Sequence, residues 1–196
     1  MKTTTTSPKL PQGTGEVRII GGEWRRTKLP VALKPGLRPT PDRVRETLFN
    51  WLGQSLLGWH CVDTFAGTGA LGLEAASRGA AHVLLCESDA ALVTQLNAQV
   101  ARLNASQVHV QRGDGVACLQ RLSNSSVDLV FIDPPFDSGL FDPALQAAAQ
   151  AVTTDGFVYL ESPQPWRDEA LAQWGLAIYR YLTAGTVHAH LLQRIA

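Results

Sequence analysis

The stretch from Val62 to Gly72 constrains the fold more than any other, because it reads as a strand, a tight turn and the start of a helix. An apolar run carries an acid, Asp63, close to its end, and closely spaced glycines follow. These glycines, Gly67, Gly69 and Gly72, match the G-x-G-x-x-G spacing, in which missing side chains let a ligand approach the backbone. The stretch therefore predicts a site for a nucleotide-like cofactor.

The glycine spacing alone leaves two cofactors open. A dinucleotide fold places a pyrophosphate on the helix start and uses an acid about 20 residues later for the ribose, a distance that fits Glu87. An S-adenosylmethionine site uses a similar loop and a similar acid, but its ligand carries a positive sulfonium. A carboxylate such as Asp63 beside the loop is acceptable near a cation and unfavourable near a pyrophosphate. Features later in the chain distinguish between a dinucleotide and S-adenosylmethionine.

Charge is distributed unevenly along a chain whose formal net charge is zero. Residues 1–45 contain ten lysines and arginines against three acidic residues, and the rest of the chain balances this surplus. A basic arm on an acidic body indicates that the arm meets a polyanion, because phosphate contacts supply much of the affinity of such surfaces. At 196 residues with 45% hydrophobic content, the chain suits one globular domain with a small appendage.

Cysteines and histidines do not indicate a metal site. Cys61, Cys86 and Cys118 lack paired ligand spacing and lie in or beside apolar runs, so we interpret them as core residues of a reduced compartment. The five histidines are scattered at strand edges. The N-terminus has no apolar signal core, and no run approaches the roughly 20 apolar residues of a membrane span. We expect a cytoplasmic monomer without a bound metal.

The N-terminal part predicts a leader and a hairpin. Residues 1–15 are rich in Thr, Pro and Gly and are expected to be disordered. Two short extended runs then flank Gly-Gly-Glu-Trp-Arg-Arg, which predicts a hairpin with an aromatic ring and two cations at its tip. Trp24 is either a packing residue of the hairpin or a contact for RNA. The neighbouring cations Arg25, Arg26 and Lys28 favour the RNA contact.

A rigid connector with three prolines, residues 34–41, leads to a helix that runs to about residue 52. Thr40 is a candidate N-cap with Pro41 at the first helical position. One face of this helix is apolar, and the other carries Arg43 and Arg45. Those two arginines are either a solvated surface or part of an RNA contact.

From Cys61 onward, short apolar strands alternate with amphipathic helices, which is typical of a parallel sheet covered on both faces. Strands are predicted at 61–65, 82–87, 107–112, 127–132 and 156–161, and helices at 70–78, 90–103, 115–122 and 141–152. The final strands, 176–182 and 186–193, are joined by too few residues for a helical crossover and must pair antiparallel. A parallel sheet closed by such a hairpin is typical of class I methyltransferases and argues against a dehydrogenase.

The tetrapeptide Asp133-Pro134-Pro135-Phe136 directly follows the apolar strand at 127–132. In a doubly wound sheet the ligand crevice lies beyond the carboxyl ends of the strands, so the tetrapeptide and the glycine loop should face one pocket. A Pro-Pro turn alone is common, but this position suits methylation of an exocyclic amine. The Asp133 carboxylate and the Pro134 carbonyl would accept the two N–H bonds of the amine. Pro135 would stiffen the loop, and Phe136 would stack on the base.

Asp114 lies in a Gly-Asp-Gly turn that follows the third strand at the same edge of the sheet. It either caps the next helix or accepts a hydrogen bond from the adenine amino group of the cofactor. The two roles are compatible.

Two N-terminal segments indicate which group of methyltransferases the chain resembles. They are Arg18-Ile-Ile-Gly-Gly-Glu-Trp-Arg and Leu37-Arg-Pro-Thr-Pro-Asp-Arg-Val-Arg-Glu-Thr-Leu-Phe-Asn-Trp-Leu52. Together with the glycine loop and the tetrapeptide, they closely resemble the bacterial 16S ribosomal RNA guanine-N2 methyltransferases. The resemblance runs from about Val17 to the final hairpin. It implies transfer of one methyl group from S-adenosylmethionine to N2 of a single guanine in small-subunit RNA, within a partly assembled particle.

The resemblance also implies roles for single residues. Asp63 and the glycine loop would line the methionine end of the cofactor, Glu87 the ribose and Asp114 the adenine. The residues expected to bind the cofactor are Asp63, Phe65, Ala66, Gly67, Gly69, Glu87 and Asp114. The residues expected to bind RNA are Trp24, Arg25, Arg26, Lys28, Arg38, Arg43 and Arg45. After Trp24-Arg25 the family usually has Gly-Arg, whereas this chain has Arg26-Thr27.

We therefore predict an α/β protein with the class I S-adenosylmethionine-dependent methyltransferase fold. It would have a Rossmann-like, mostly parallel seven-stranded sheet, a C-terminal antiparallel hairpin and a basic N-terminal extension. The predicted units are a disordered leader, 1–15, the RNA-binding extension, 16–57, and the methyltransferase domain, 58–196.

Three other functions remain open from the sequence. A DNA or ribosomal RNA adenine-N6 methyltransferase shares the tetrapeptide, although the DNA enzymes normally add a target-recognition domain. A nicotinamide-dependent reductase explains only the glycine spacing and Glu87. A non-enzymatic RNA-binding module explains only the basic arm.

Overall fold

The computed structural model describes residues 12–32 and 40–195. Its N-terminal part is an antiparallel hairpin of β1 (Gln12–Arg18) and β2 (Lys28–Ala32), followed by α1 (Asp42–Trp51). The predicted hairpin is confirmed, but β1 begins inside the segment predicted to be disordered, because Gln12 pairs with Ala32. Residues 1–11, most of the proline-rich connector and Ala196 lie outside the described residues.

A seven-stranded sheet forms the centre of the molecule. Its strands are β3 (His60–Asp63), β4 (His82–Glu87), β5 (Val108–Arg112), β6 (Val127–Ile132), β7 (Val152–Ser162), β8 (Leu176–Ala184) and β9 (Val187–Arg194). Their order is β5-β4-β3-β6-β7-β9-β8. The first five pair in parallel, and β9 lies antiparallel between β7 and β8. The predicted parallel sheet with a C-terminal antiparallel hairpin is confirmed.

Helices connect the strands and cover both faces of the sheet. They are α2 (Ala70–Ser77), α3 (Ala90–Arg102), α4 (Gly115–Gln120), α5 (Phe141–Ala151) and α6 (Asp168–Leu171), with a 3₁₀ turn at Ala172–Trp174. The short α6 and the 3₁₀ turn follow a segment to which the sequence assigned no structure. Thr40 is not the N-cap of α1, because Pro41 occupies that position without a side-chain cap.

The strand β6 shows why the central strands appear in the sequence as uninterrupted apolar runs. Leu129 and Phe131 contribute to the core between the sheet and the helices α1–α3, whereas Val130 and Ile132 contribute to the core under α4 and α5. All four side chains are fully buried. Because successive side chains of a strand point to opposite faces, a strand covered on both faces needs apolar residues at every position.

A buried ion network joins the N-terminal hairpin and α1 to α2. The carboxylate of Glu74, which is 0% exposed, accepts hydrogen bonds from the backbone N–H groups of Ile20 and Gly21 at 2.7 and 2.8 Å. Arg78 Nε lies 2.8 Å from Glu74 Oε1, and Arg45 Nη1 lies 3.5 Å from Glu74 Oε2. Because cations and carboxylate face one another, the network is buried without leaving an isolated charge.

The prediction that Arg45 contacts RNA from the exposed face of α1 is wrong. Its side chain is completely buried. Besides the contact with Glu74, its guanidinium donates to the backbone oxygens of Thr40 and Arg18 at 3.2 and 2.8 Å, and to Asp42 Oδ1 at 2.6 Å. Arg45 therefore holds the end of β1, the start of α1 and the side of α2 together.

The turn of the N-terminal hairpin shows what the departure from the resembled family pattern at position 26 costs the backbone. Arg26 has a φ of 71°, in the left-handed region. Its N–H donates to the carbonyl of Ile19 at 2.8 Å, so this conformation closes the turn. A glycine adopts such a φ without steric cost, whereas a side chain is strained there. The glycine that is usual in the family therefore suits the backbone better than arginine does.

Candidate active site

The parallel strands all end at one edge of the sheet, where a cavity of about 750 Å³ opens. This volume lies within the ~300–1,000 Å³ typical of small-molecule sites. The predicted site residues found on its wall are Asp63, Phe65, Ala66, Gly67, Glu87, Asp114, Asp133, Pro134, Pro135 and Phe136. The glycine loop and the tetrapeptide, which are far apart in sequence, therefore face the same cavity as predicted.

The glycine loop turns from the end of β3 into α2. Gly67 has a φ of 52° and lines the cavity, so the backbone is exposed to a ligand at this point. Gly69 does not line the cavity but occupies the N-cap position of α2 with a φ of 78°. A side chain at Gly69 would bring its Cβ to 2.7 Å from Leu96 Cδ2. Gly69 therefore shapes the loop instead of forming the wall.

Glu87 ends β4 and supports the glycine loop by a direct hydrogen bond. Its Oε2 accepts a hydrogen bond from the backbone N–H of Gly67 at 2.9 Å, and its Oε1 accepts from that of Asp89 at 2.8 Å. A carboxylate has about four lone-pair positions, so these contacts leave capacity for a diol. The same residue can therefore support the loop and bind a ribose.

Asp114 serves the structural role that its position predicts. It is the N-cap of α4, where its Oδ1 accepts from the backbone N–H of Ala117 at 2.7 Å. It also lines the cavity. The capping role is thus observed, and the contact with adenine stays a prediction.

Asp63 lies at the base of the cavity and is buried. Burial raises its pKa from 3.8 to about 7, although the backbone N–H of Gly72, which donates to Oδ2 at 3.0 Å, lowers it. The neighbouring carboxylates Glu87 and Glu161 raise it further. A cation bound in this cavity would favour the ionised form of Asp63.

The tetrapeptide forms the wall beyond the end of β6. Burial raises the pKa of Asp133 well above its usual range, and the charges of Glu161 and Asp63 add to this effect. Pro134 is buried, and Phe136 is 37% exposed at the rim. Asp133 and Pro134 thus line the cavity, with the partly exposed ring of Phe136 beside them.

Several wall residues were missed by the sequence analysis. Glu161 near the end of β7 is 3% exposed, and Tyr159 Oη donates to its Oε1 at 2.8 Å. A sequence signal for it exists, because Asp63 and Glu87 also end apolar strands. Other missed wall residues come from the start of α1 and from the C-terminal hairpin: Thr40, Pro41, Thr186 and Val187.

The predicted RNA-binding residues are found in different environments. Trp24 is half-buried and packs against the hydrophobic core, which favours the packing interpretation. Arg25, Arg26 and Arg43 are exposed, as is Lys28, whose Nζ pairs with Glu16 at 2.7 Å. Arg38 lies outside the described residues. An exposed cationic surface thus remains at the hairpin and along α1.

The cavity fits S-adenosylmethionine in the chemistry of its wall. Acidic residues line the cavity, which suits a ligand with a sulfonium and an ammonium, and Glu87 lines it as a candidate for the ribose. The Oγ1 atom of Thr64 is buried in this wall without a hydrogen-bond partner among the described residues, so a polar ligand could satisfy it. When bound, this cofactor supplies an electrophilic methyl group.

Among residues 12–32 and 40–195, no three His, Cys, Asp or Glu side chains form a group that could hold a metal ion. No helix in this part of the chain is long and apolar enough to cross a membrane.

Comparison with known proteins places the chain among methyltransferases. A family described as conserved hypothetical protein 95 matches residues 17–193. The ribosomal RNA small subunit methyltransferase D of Escherichia coli is 42% identical over 187 residues, which cover 94% of this chain and 93% of the relative. Its counterpart of the same name from Haemophilus influenzae is 38% identical and covers 88% and 96%.

Solved structures agree with this result. The structure of an Escherichia coli methyltransferase, yhhF, superposes with a TM-score of 0.79 at 38% identity, covering 93% of this chain and 99% of that one. A methylase from Haemophilus influenzae gives a TM-score of 0.76 at 33% identity, covering 93% and 100%. The fold is that of the class I S-adenosylmethionine-dependent methyltransferases.

Proposed function

The chain belongs to the family of conserved hypothetical protein 95, and on that premise we propose that it methylates ribosomal RNA. The reaction would transfer a methyl group from S-adenosylmethionine to the exocyclic N2 of one guanine in 16S RNA. The substrate would be a partly assembled small ribosomal subunit. The two curated relatives described above carry the name of ribosomal RNA small subunit methyltransferases, which supports the class of substrate.

The observation that carries the proposal is the shared cavity of the glycine loop and the Asp-Pro-Pro-Phe tetrapeptide. The loop supplies a cofactor site, and the tetrapeptide supplies acceptors for an amine. A nicotinamide-dependent reductase has no use for the second element. A simple RNA-binding module has no use for either.

In the proposed reaction the protein orients a weak nucleophile. The lone pair of an exocyclic amine is delocalised into the purine ring, so the nitrogen has to be held with this pair directed at the methyl group. The Asp133 carboxylate and the Pro134 carbonyl accept the two N–H bonds of N2 and stabilise the positive charge that develops there. Bound S-adenosylmethionine would supply the methyl group to N2, and the methylated nitrogen would lose one proton to water.

The remaining wall residues divide between cofactor and base. Asp63 and the loop residues Phe65, Ala66 and Gly67 would contact the methionine end, Glu87 the ribose and Asp114 the adenine. Phe136 would stack on the guanine. Because its ring is at the rim, it can receive a base that has left its helical stack.

The exposed cations of the N-terminal extension would bind the RNA backbone. Arg25, Arg26, Lys28 and Arg43 lie on the described part of this surface, and Arg38 belongs to the proposal from its sequence position alone. Phosphate contacts of this kind position a substrate and carry no sequence information. The choice of one guanine must therefore come from the shape of the RNA and from the cavity.

The decisive experiment measures transfer of labelled methyl from S-adenosylmethionine to unmodified small subunits and, in parallel, to naked 16S RNA. The nucleosides are then separated. We expect label in N2-methylguanosine. Label in N6-methyladenosine would overturn the proposed acceptor, and an absence of label from both RNAs would overturn RNA as the substrate.

The variant Asp133→Ala tests the role of the tetrapeptide in the same assay. Loss of the acceptor for N2 should lower kcat by about 1,000-fold or more, while calorimetry should show little change in cofactor affinity. Asp155→Ala is the matched control, because this exposed carboxylate lies on β7 away from the cavity. Near-normal transfer by Asp133→Ala would contradict the assignment.

A further inference from the structure

Glu161 occupies a position beside Asp133 that the sequence motifs do not predict. In the parallel pair β6–β7, Ile132 lies opposite Leu160, so the next residues, Asp133 and Glu161, come from adjacent strands and the same face of the sheet. Both line the cavity. Burial raises the pKa of Asp133, and the charge of Glu161 raises it further, which agrees with their positions on adjacent strands.

Tyr159 holds Glu161 from the same strand. These residues lie two apart on β7, and Tyr159 Oη donates to Glu161 Oε1 at 2.8 Å in the buried interior. A carboxylate has roughly four lone-pair positions. The bond from Tyr159 is therefore compatible with a bond from a ligand in the cavity.

We propose that Glu161 determines base specificity by accepting the N1–H of the target guanine while Asp133 accepts the adjacent N2–H. This inference rests on the proposed function and deepens it. Two neighbouring carboxylates present a row of acceptors, and the Watson–Crick edge of guanine presents a row of donors at N1 and N2. The match explains why a second buried acid is placed next to the acid of the tetrapeptide.

An adenine would not match this row. Its exocyclic N6 amine offers donors to Asp133, but the neighbouring ring atom N1 carries a lone pair and no proton. That lone pair would face the acceptor that the proposal assigns to Glu161, and a carboxylate only accepts hydrogen bonds. Leaving two acceptors face to face in a buried site is costly, and sites built on such hydrogen bonds discriminate strongly against the wrong partner.

The base 2-aminopurine tests this inference directly. It keeps an exocyclic amine at position 2, but its N1 carries a lone pair, as in adenine. Small subunits are reconstituted from 16S RNA in which splinted ligation places guanine or 2-aminopurine at the modified position. We expect the unaltered protein to prefer guanine by about 1,000-fold or more in kcat/KM.

The variant Glu161→Gln should change this preference, because the amide can donate N–H to the N1 lone pair of 2-aminopurine. We expect kcat/KM for guanine to fall by about 10–100-fold and the preference ratio to shift toward 2-aminopurine by about 100-fold or more. Cofactor affinity should stay within a few-fold. An unchanged ratio in a folded variant would overturn the proposal.

The matched control is Tyr159→Phe, which removes the buried O–H and leaves the carboxylate. It should lower kcat for both bases and keep their ratio. If Tyr159→Phe shifted the ratio as much as Glu161→Gln does, the effect would be structural and the specificity role would be overturned. A failure of the proposed function is distinguishable, because the unaltered protein would then fail to methylate guanine N2 at all.

Discussion

Two groups of buried charge, one at Glu74 on α2 and one around the cavity, are built in different ways. At α2, Glu74 is matched with Arg45 and Arg78 and accepts two backbone N–H bonds. Around the cavity, burial raises the pKa values of Asp63 and Asp133, and the charge of the neighbouring Glu161 raises both further. The charge of Glu74 is thus matched by cations, whereas Asp63 and Asp133 are acids whose pKa values are raised beside a cavity.

The difference separates a structural role from a functional one. Burying a charge is costly unless a partner compensates it. The network at Glu74 is compensated, and it fastens the N-terminal extension to the helix of the glycine loop. Burial raises the pKa values of Asp63 and Asp133, so a cationic cofactor and the N–H groups of a base would improve their environment. Perturbed groups of this kind cluster at functional sites.

The largest expected effect comes from breaking the compensated network. Arg45→Met should lower the free energy of unfolding by about 3–5 kcal/mol, because it removes a fully buried partner of Glu74 and leaves buried acceptors unpaired. Urea unfolding followed by circular dichroism measures this change.

The control for that variant lies two residues away on the same helix. Arg43→Met removes an exposed cation and should change the free energy of unfolding by less than about 0.5 kcal/mol. We expect it to weaken binding to small subunits instead. Equal free energies of unfolding of the two variants would contradict the different roles that we assign to the buried Arg45 and the exposed Arg43.

The free energy of unfolding should depend on pH in a way that reveals the raised pKa of Asp63. In the folded protein without ligand, Asp63 keeps its proton up to about pH 7, whereas in the unfolded chain it releases the proton near its ordinary value of 3.8. The folded state therefore holds the extra proton between these values. The stability contributed by Asp63 should fall as pH rises from about 4 to about 7, by up to about 1.4 kcal/mol per pH unit.

The contribution of Asp63 is measured as the difference in the free energy of unfolding between the unaltered protein and Asp63→Asn. This difference is needed because burial lowers the pKa of His190 to about 4, which gives an opposite slope between about pH 4 and its ordinary value of 6.5. The stability of Asp63→Asn relative to the unaltered protein should rise over the interval from about 4 to about 7. A relative stability independent of pH would contradict the raised pKa of Asp63.

The smallest expected effect concerns the strained turn of the extension. Arg26→Gly should raise the free energy of unfolding by about 0.5–1 kcal/mol, because glycine adopts the φ of 71° without strain. Asn104→Gly is the control: asparagine, at a φ of 51°, tolerates this region better, so its gain should be smaller. A loss of stability in Arg26→Gly would show that the side chain contributes more than its backbone strain costs.

The elements with strong local signals were predictable from the sequence. Strands β4 and β6 have the predicted bounds, and the other strands and helices of the sheet region were located with errors mostly of one to three residues. They were predictable because the apolar runs and turn residues that define each element are close together in the sequence. The placement of the glycine loop and the tetrapeptide on one cavity was also predictable, because carboxyl ends of parallel strands share one edge.

The environment of single side chains was not predictable in the same way. Arg43 and Arg45 lie two positions apart on α1, and both were predicted to bind RNA. Arg43 is exposed, whereas Arg45 is completely buried. Glu161 had a weak signal at the end of a strand. Its meaning depends on Asp133, which lies on a neighbouring strand and 28 positions earlier in the chain.

The sequence by itself determined the class of fold and the placement of the glycine loop and the tetrapeptide on one cavity, because periodicity, glycine spacing and strand ends are features of a few neighbouring residues. Only the tertiary structure decided which charges are matched and which face the cavity. That distinction depends on distances between elements remote in sequence: α1 against α2 for Arg45, and β6 against β7 for Glu161. Coulomb interactions and burial act through space, and a linear pattern contains neither distance nor accessibility until the chain has folded.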